Sequence, residues 1–126
     1  MGSRGAFVNV NTGNFTFVEN GQIYNSIGTL STNPNVKILV QSKGSVKAPE
    51  YSHTKDRVYA IVQDGRLKHV TYYDENHNQS VSIDLTIAHQ GKLPHKHLYL
   101  DHTTAYDISD TDEKLIKQIK KEYKLQ

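Results

Sequence analysis

Four of the seven histidines in this 126-residue chain fall within fifteen residues, AHQGKLPHKHLYLDH, at positions 88–102. Imidazole titrates near neutrality and binds transition metals through either ring nitrogen, so the run admits two chemistries. As a metal clip, His95 and His97 stand two apart and project to one face of an extended chain. They can then reach a single ion, with His89 or His102 as third ligand and Asp84 or Asp101 as carboxylate. As acid and base, His89, His95 and His97 can take the proton of a ribose 2′-hydroxyl and return one to the leaving 5′-oxygen. Lys55, Arg57 or Lys96 would hold the charge that develops on phosphorus. Pro94 stiffens the chain ahead of His95. Against both stands a plainer role, imidazoles on a polar loop bonded to nearby backbone.

The remaining histidines carry different weights. His53 lies in YSHTKD, a polar segment which, folded over a sheet, would supply the other wall of a site. Ser52, His53, Lys96 and Tyr99 are therefore candidate substrate contacts beside the catalytic set. His69 falls in a strand-like run, where packing is the default, and His77 lies in the turn DENHN as exposed filler.

Composition narrows the setting in which such a site is held. Without cysteine the chain has neither disulfides nor thiolate metal ligands. A formal charge of +2 and a pI of about 8.7 fall short of a strongly basic nucleic-acid binder. Between Lys37 and His69, however, seven basic residues face three acidic ones. A phosphate backbone could meet that stretch electrostatically, although scattered surface lysines read the same way. From Asp107 onward five acidic residues balance five lysines. Eight tyrosines and no tryptophan suggest strands with one solvated face, because a tyrosine buries its ring while its hydroxyl stays bonded or wet. No apolar run approaches the roughly 20 residues of a membrane span, and the start lacks a signal-peptide core. Residues 1–5, MGSRG, read as linker at a cut point within a longer parent chain, with residues 1–126 as a single domain.

The elements that position the histidines follow from periodicity. Phe7–Val10 and Phe15–Val18 are β-favouring runs around NTGN, with a second turn at ENGQ, and Gln22–Ile27 adds a strand to this N-terminal meander over 6–48. GTLSTNPN is expected as loop, VKILV at 36–40 as a buried strand, and 41–56 as a long exposed loop. Three β-rich segments, 57–63, 67–73 and 79–87, come next. Asp64-Gly65 between the first two is the strongest hairpin signal in the chain. Val58 to Gln63 is apolar on both parities, which predicts a strand covered on both faces. Asp84 stands on the parity opposite to Val81, Ile83 and Leu85 and points away from the main core. Leu98–Leu100 closes the sheet, leaving His102 beyond it. The tail 107–126 predicts a helix with Asp110 and Glu113 as capping box and Leu115, Ile116, Ile119 and Tyr123 on one face. The expected architecture is α+β: a mainly antiparallel sheet of five to seven strands, with the meander alongside and the C-terminal helix packed on it.

The order PEYSHTKDRVY, DGRLKHVTYYDENHNQSVSIDLT, then PHKHLY resembles the C-terminal effector domains of bacterial polymorphic toxins and of phage minor head proteins. The likeness covers residues 49–99 and departs at Asn78, where that pattern has glycine, and at His89–Lys92. It implies a nuclease in a barnase-like or colicin-like fold class, with His89, His95 and His97 as the site, Asp84 ending a strand beside it, and Ser52 and Arg57 on the facing loop. It implies also a bacterial or phage origin, delivery into the cytoplasm of a target cell, RNA as substrate and a cognate immunity protein as partner. The expected activity is a metal-independent ribonuclease without cofactor, using His95 or His97 for proton transfer. The alternatives are a metal-dependent nuclease or hydrolase through His95, His97 and Asp84, and a non-catalytic phage or bacterial binding domain whose tyrosine-rich sheet makes the contacts.

Overall fold

The computed structural model describes residues 7–8, 15–19, 21–42 and 44–126. The linker 1–5, the end of the first β-favouring run, the NTGN turn, Asn20 of ENGQ and Lys43 lie outside them. The strands are Phe7–Val8 (β1), Phe15–Glu19 (β2), Gln22–Leu30 (β3), Asn33–Gln41 (β4), Val58–Gln63 (β5), Arg66–Tyr73 (β6), Gln79–Asp84 (β7), His95–Leu98 (β8) and Asp101–Tyr106 (β9). The helix Asp110–Tyr123 (α1) follows. All nine strands form one sheet in chain order. Every neighbouring pair is antiparallel except β4 and β5, which run parallel. The fold is thus a mostly antiparallel sheet with one C-terminal helix. Among the described residues no helix is long and apolar enough to cross a membrane.

The sheet has two differently covered faces. α1 lies against one, where Ile116 and Ile119 meet Ile38, Ala60, Val70 and Ile83 in a single cluster. A parallel pair cannot be joined by a tight hairpin. The chain from β4 to β5 therefore crosses over the other face. There Ala48 seals a second cluster of Phe17, Tyr24, Leu39, Tyr59, Ile61 and Tyr73. Residues 44–57 do lack strand ladders, yet they are not the exposed loop expected over 41–56: Ala48, Pro49 and Ser52 are buried. Tyrosine explains the difference. Tyr24 donates to the Lys47 carbonyl and Tyr73 to the Pro49 carbonyl, so each ring fills the core while its hydroxyl anchors the crossing chain. Covered by the helix on one side and the crossover on the other, Val58–Val62 is buried throughout, as its two apolar parities predict.

Several boundaries move. Gly28–Leu30 ends β3 and Asn33–Asn35 begins β4, so the predicted loop shrinks to a turn at Ser31–Thr32. Leu30 is drawn into the helix-side cluster, and Pro34 sits near the start of β4, where a missing N–H costs least. Asp64 and Gly65 both have positive φ, 55° and 72°, as the expected hairpin turn requires. Leu98–Leu100 is not the closing strand: β8 ends at Leu98, Tyr99 and Leu100 turn with φ of 50° and 64°, and β9 closes the sheet with His102 inside it. The helix cap also differs. Ser109 is the N-cap, its hydroxyl accepting from the Asp112 amide at 3.1 Å while Asp112 accepts from the Ser109 amide at 2.9 Å. Asp112 wins over Glu113 because it is also bound to the sheet, by the Tyr72 hydroxyl at 3.0 Å and Lys96 Nζ at 3.3 Å.

Docking of the helix C-terminal half depends on one glycine. A Cβ at Gly28 would stand 2.7 Å from the Tyr123 hydroxyl oxygen, which donates to the Thr29 carbonyl at 2.6 Å, and the Gly28 φ of +149° is strained for any L side chain. Gly28→Ala is expected to destabilise the fold by about 1–3 kcal/mol, the range of an overpacked site. Truncating the fully buried Ile119 to alanine should cost about 2–5 kcal/mol. Urea unfolding at unchanged m-value reads both, and a neutral Gly28→Ala would contradict this packing.

Candidate functional site

Strand register assembles the site. His69 pairs with Asp84 and Asp84 with His95; one step along, Thr71 pairs with Ser82 and Ser82 with His97. Directly paired residues share a face, so His69, Asp84 and His95 form one cross-strand row and Thr71, Ser82 and His97 another. Both rows lie on the crossover side of the sheet, beyond the part that the crossover covers. The hydroxyls of Thr71 and Ser82 are 3.2 Å apart. Asp84 points away from the main core, as its parity requires. Lys96, between the two histidines, turns to the helix face and reaches Asp112.

Four imidazoles meet on these rows. His95 and His97 are 2% and 7% exposed, and their rings lie 4.7 Å apart. The connection 85–94, a strap whose Leu85 packs on the helix-side cluster, returns to them through a hairpin that carries His89. In it, His89 and Lys92 close a two-residue hairpin by backbone hydrogen bonds of 3.1 and 3.0 Å, with Gln90 and Gly91 at φ of 52° and 76°. This brings the His89 ring 5.5 Å from that of His95 and 5.2 Å from that of His97. His102, exposed on β9, places its ring 5.0 Å from that of His97. One ligand nitrogen from each of His89, His95 and His97 lies within 4.8 Å of the other two.

Hydrogen bonding decides the proton positions. His97 Nδ1 is 2.8 Å from the Thr104 carbonyl, which can only accept, so Nδ1 carries the proton and Nε2 of the neutral ring is a bare lone pair. His95 Nε2 lies 3.0 Å from that lone pair. A proton or a cation must lie between the two nitrogens, since two lone pairs at this distance repel. With a proton there, His95 Nε2 is the donor and its buried Nδ1, which makes no well-formed hydrogen bond, is left as a bare acceptor. With a cation there, both Nε2 atoms are ligands. Two imidazoles bound at ~2.0–2.1 Å with angles of about 90–110° at the metal put their nitrogens about 2.9–3.4 Å apart, which includes the observed spacing.

The pKa values of His95, His69 and Asp84 all lie below their ordinary values. Burial lowers the His95 pKa, Asp84 opposes it, and His97 and His89 press it further down. Burial likewise lowers His69, against opposition from Asp84 and the Ile83 backbone. For Asp84, burial works upward but is outweighed by the Thr86 amide and hydroxyl, each 2.7 Å from Oδ1, then by His69 and the Ile87 amide. Its carboxyl therefore sits below the usual range. Asp101 is also lowered, chiefly by the Thr103 hydroxyl and amide, and stands in the field of His97 and His102.

The other expected site residues stand elsewhere. The His53 ring packs on Phe17 at 4.6 Å, and its amide donates to the Tyr59 hydroxyl. Ser52 is tied to Thr54 and to His77, whose Nδ1 lies 2.8 Å from the Ser52 carbonyl; His77 is thus a clamp on the crossover and not filler. Arg57 reaches the Pro34 carbonyl and the Thr54 hydroxyl, and Lys55 is exposed in the adjoining turn. Tyr99 is 74% exposed on the β8–β9 turn. The structure brings together His89, His95, His97 and Asp84 and separates them from Lys55, Arg57, Ser52, His53 and Lys96. It adds His69, the Thr104 carbonyl and the Gln90 side chain. The last two act with or upon backbone, for which residue spacing carries no signal.

Because the native His69 pKa lies below 6.5, the unfolded chain takes up protons first as pH falls. Stability held above the ordinary histidine range should therefore be lost as pH drops from 6.5 toward the lowered native value. Thermal unfolding of the chelator-treated protein between pH 8 and 5 should show a steeper loss for wild type than for His69→Gln. Equal slopes would contradict the burial of a neutral His69.

The chain matches no protein-family model, no curated protein and no solved structure, so the function must be read from the cluster itself.

Proposed function

We propose that this chain is a metal-dependent hydrolase of nuclease type, in which His89, His95 and His97 bind one divalent transition-metal ion and the substrate is a phosphodiester. The observation that carries the reading is the convergence of two buried Nε2 atoms at 3.0 Å, with the Nδ1 of His97 held outward by the Thr104 carbonyl. A ligating histidine is ordinarily oriented in this way, by a carbonyl on its second nitrogen. Three imidazole ligands suit zinc and its neighbours and would leave room for water or substrate on the ion. An ion so held supplies Lewis acidity, polarising a phosphoryl oxygen and acidifying water at that position. The three nitrogens lie within 4.8 Å of one another, and nitrogens shared by one zinc-class ion are about 3.3 Å apart, so His89 must draw in by up to about 1.5 Å. Asp84, ionised and paired in register with His95, offsets part of the ion's charge.

Phosphodiesters are chosen because the PHKH strand and the order of segments before it resemble the nuclease effector domains of polymorphic toxins and phage head proteins. Delivery into a target cell and a cognate immunity protein belong to the same resemblance.

One observation favours a second reading. The 3.0 Å contact is also the length of a hydrogen bond from His95 to His97; with a proton as the bridge, the site would act on RNA by acid–base catalysis without metal. That arrangement leaves His95 Nδ1 a buried bare acceptor and finds Lys55, Arg57 and Lys96 away from the cluster, so it ranks second.

Incubation of the purified chain with total RNA, with and without EDTA, separates the two. The metal reading expects one zinc or cobalt ion bound per chain, cleavage abolished by EDTA and restored by metal, and rates about 10²–10⁴-fold lower for His95→Ala and His97→Ala, the usual range for a group acting in proton transfer and at least that expected for a lost ligand. Cleavage indifferent to EDTA would move the assignment to acid–base chemistry. Intact RNA under every condition, with no metal bound, would sink both.

A further inference from the structure

The two buried ligands and the third come from different parts of the fold. His95 and His97 are set in β8, whereas His89 rides on the 85–94 strap and reaches the cluster only if the strap is held down. Two backbone bonds close its hairpin on itself, His89 with Lys92, and these say nothing about where the hairpin docks. The Asp84 carboxylate holds the start of the strap through the Thr86 and Ile87 amides, the Lys92 backbone bonds to His95, and the hairpin tip is held against the sheet edge by a side chain. Gln90 Oε1 accepts from the Ala105 amide at 2.9 Å, and Gln90 Nε2 donates to the Thr103 carbonyl at 3.4 Å. β9 is the last strand of the sheet, so these backbone groups belong to an edge that no further strand pairs. A single primary amide occupies the place of that missing strand.

The residue between the two contacts is Thr104, whose carbonyl orients His97. Along a strand successive carbonyls point to opposite edges. Three consecutive residues of β9 thus hold the ligand set from both sides: Thr104 fixes His97 inward, and Thr103 with Ala105 fixes the neighbour of His89 outward. The positive φ of Gln90, 52°, is part of this arrangement, because it turns the side chain of a tight hairpin toward the sheet edge.

On the metal reading above, we propose that Gln90 is a positioning residue: by completing the exposed edge of β9 with its side-chain amide, it latches the 85–94 strap and delivers His89 to the His95–His97 pair as the third metal ligand. Binding of the ion and closing of the latch are then two views of one equilibrium, since a ligand that needs the strap down stabilises the strap in that position.

The test uses the whole chain, cobalt(II) absorption as a probe of coordination, and amide hydrogen exchange. Gln90→Ala should weaken cobalt binding by about 10- to 100-fold, the loss typical of an outer-shell partner, and should speed exchange of the Ala105 amide. Gln90→Glu keeps the acceptor for Ala105 but sets a second carboxylate oxygen against the Thr103 carbonyl, and should fall between the two. Because Gln90 acts through His89, adding Gln90→Ala to His89→Ala should weaken cobalt binding no further. Equal losses in both backgrounds, or a Gln90→Ala protein that binds cobalt like wild type, would overturn the latch. Wild-type protein that binds no cobalt would overturn the metal reading and the delivery of His89 with it; exchange at Ala105 would still report whether Gln90 closes the strand edge, and unchanged exchange in Gln90→Ala would refute that as well.

Discussion

Parallel pairing of β4 with β5 in an otherwise antiparallel sheet is the constraint from which the layout follows. Parallel neighbours need a crossover connection, and its described residues 44–57 form no helix. The crossover can cover only part of one face, over β2 to β6, where aromatic rings accumulate beneath it. The opposite face is taken by α1. What remains is the far end of the crossover face, on β6 to β8, and there the inward side chains change from Tyr59 and Ile61 to His69, Thr71, Ser82, Asp84, His95 and His97. The polar rows occupy the surface that neither covering layer reaches, and the hairpin of the 85–94 strap returns to them with His89.

Within those rows the governing interaction is the approach of two imidazole nitrogens. Buried polar groups stay buried only if partnered, and His97 meets that demand through the Thr104 carbonyl on one side and His95 on the other. His95 does not, because its Nδ1 lacks a well-formed bond. Such an imbalance in a packed interior marks a place where another species is expected to complete the bonding. On the proposed reading that species is a cation, with a carboxylate in register beside the pair and a third imidazole on the strap. The same economy appears at Asp112, which caps the helix, accepts from Tyr72 and neutralises Lys96. Strand alternation puts the lysine between the two site histidines on the helix face, where this carboxylate meets it.

Much of this frame is visible in residue order. Alternation in β5, the Asp64-Gly65 turn, the parity of Asp84 and the amphipathic face of the last helix are all local consequences of side-chain period and backbone preference. Errors arose where a long-range partner decides. GTLSTNPN has loop composition, yet Leu30 and Tyr123 draw its ends into strands. The 41–56 stretch looks solvated until Tyr24 and Tyr73 bind its carbonyls. Ser109 with Asp112 competes with Asp110 and Glu113 for the capping box, and the contacts of Asp112 with Tyr72 and Lys96 favour the first pair.

For the site itself the division is equally clear. That His95 and His97 share a face is fixed by their spacing, because successive side chains of any strand alternate. The same alternation sends Lys96 to the other face, but the union of the pair with His89, and the separation of that trio from Lys55, Arg57 and His53, is a matter of register and of which layer covers which face. No spacing rule contains either. Nor does any sequence pattern announce that the Thr104 carbonyl orients an imidazole or that the Gln90 amide completes a strand edge, because backbone groups are the same at every residue and acquire a role only when tertiary structure points them at a partner.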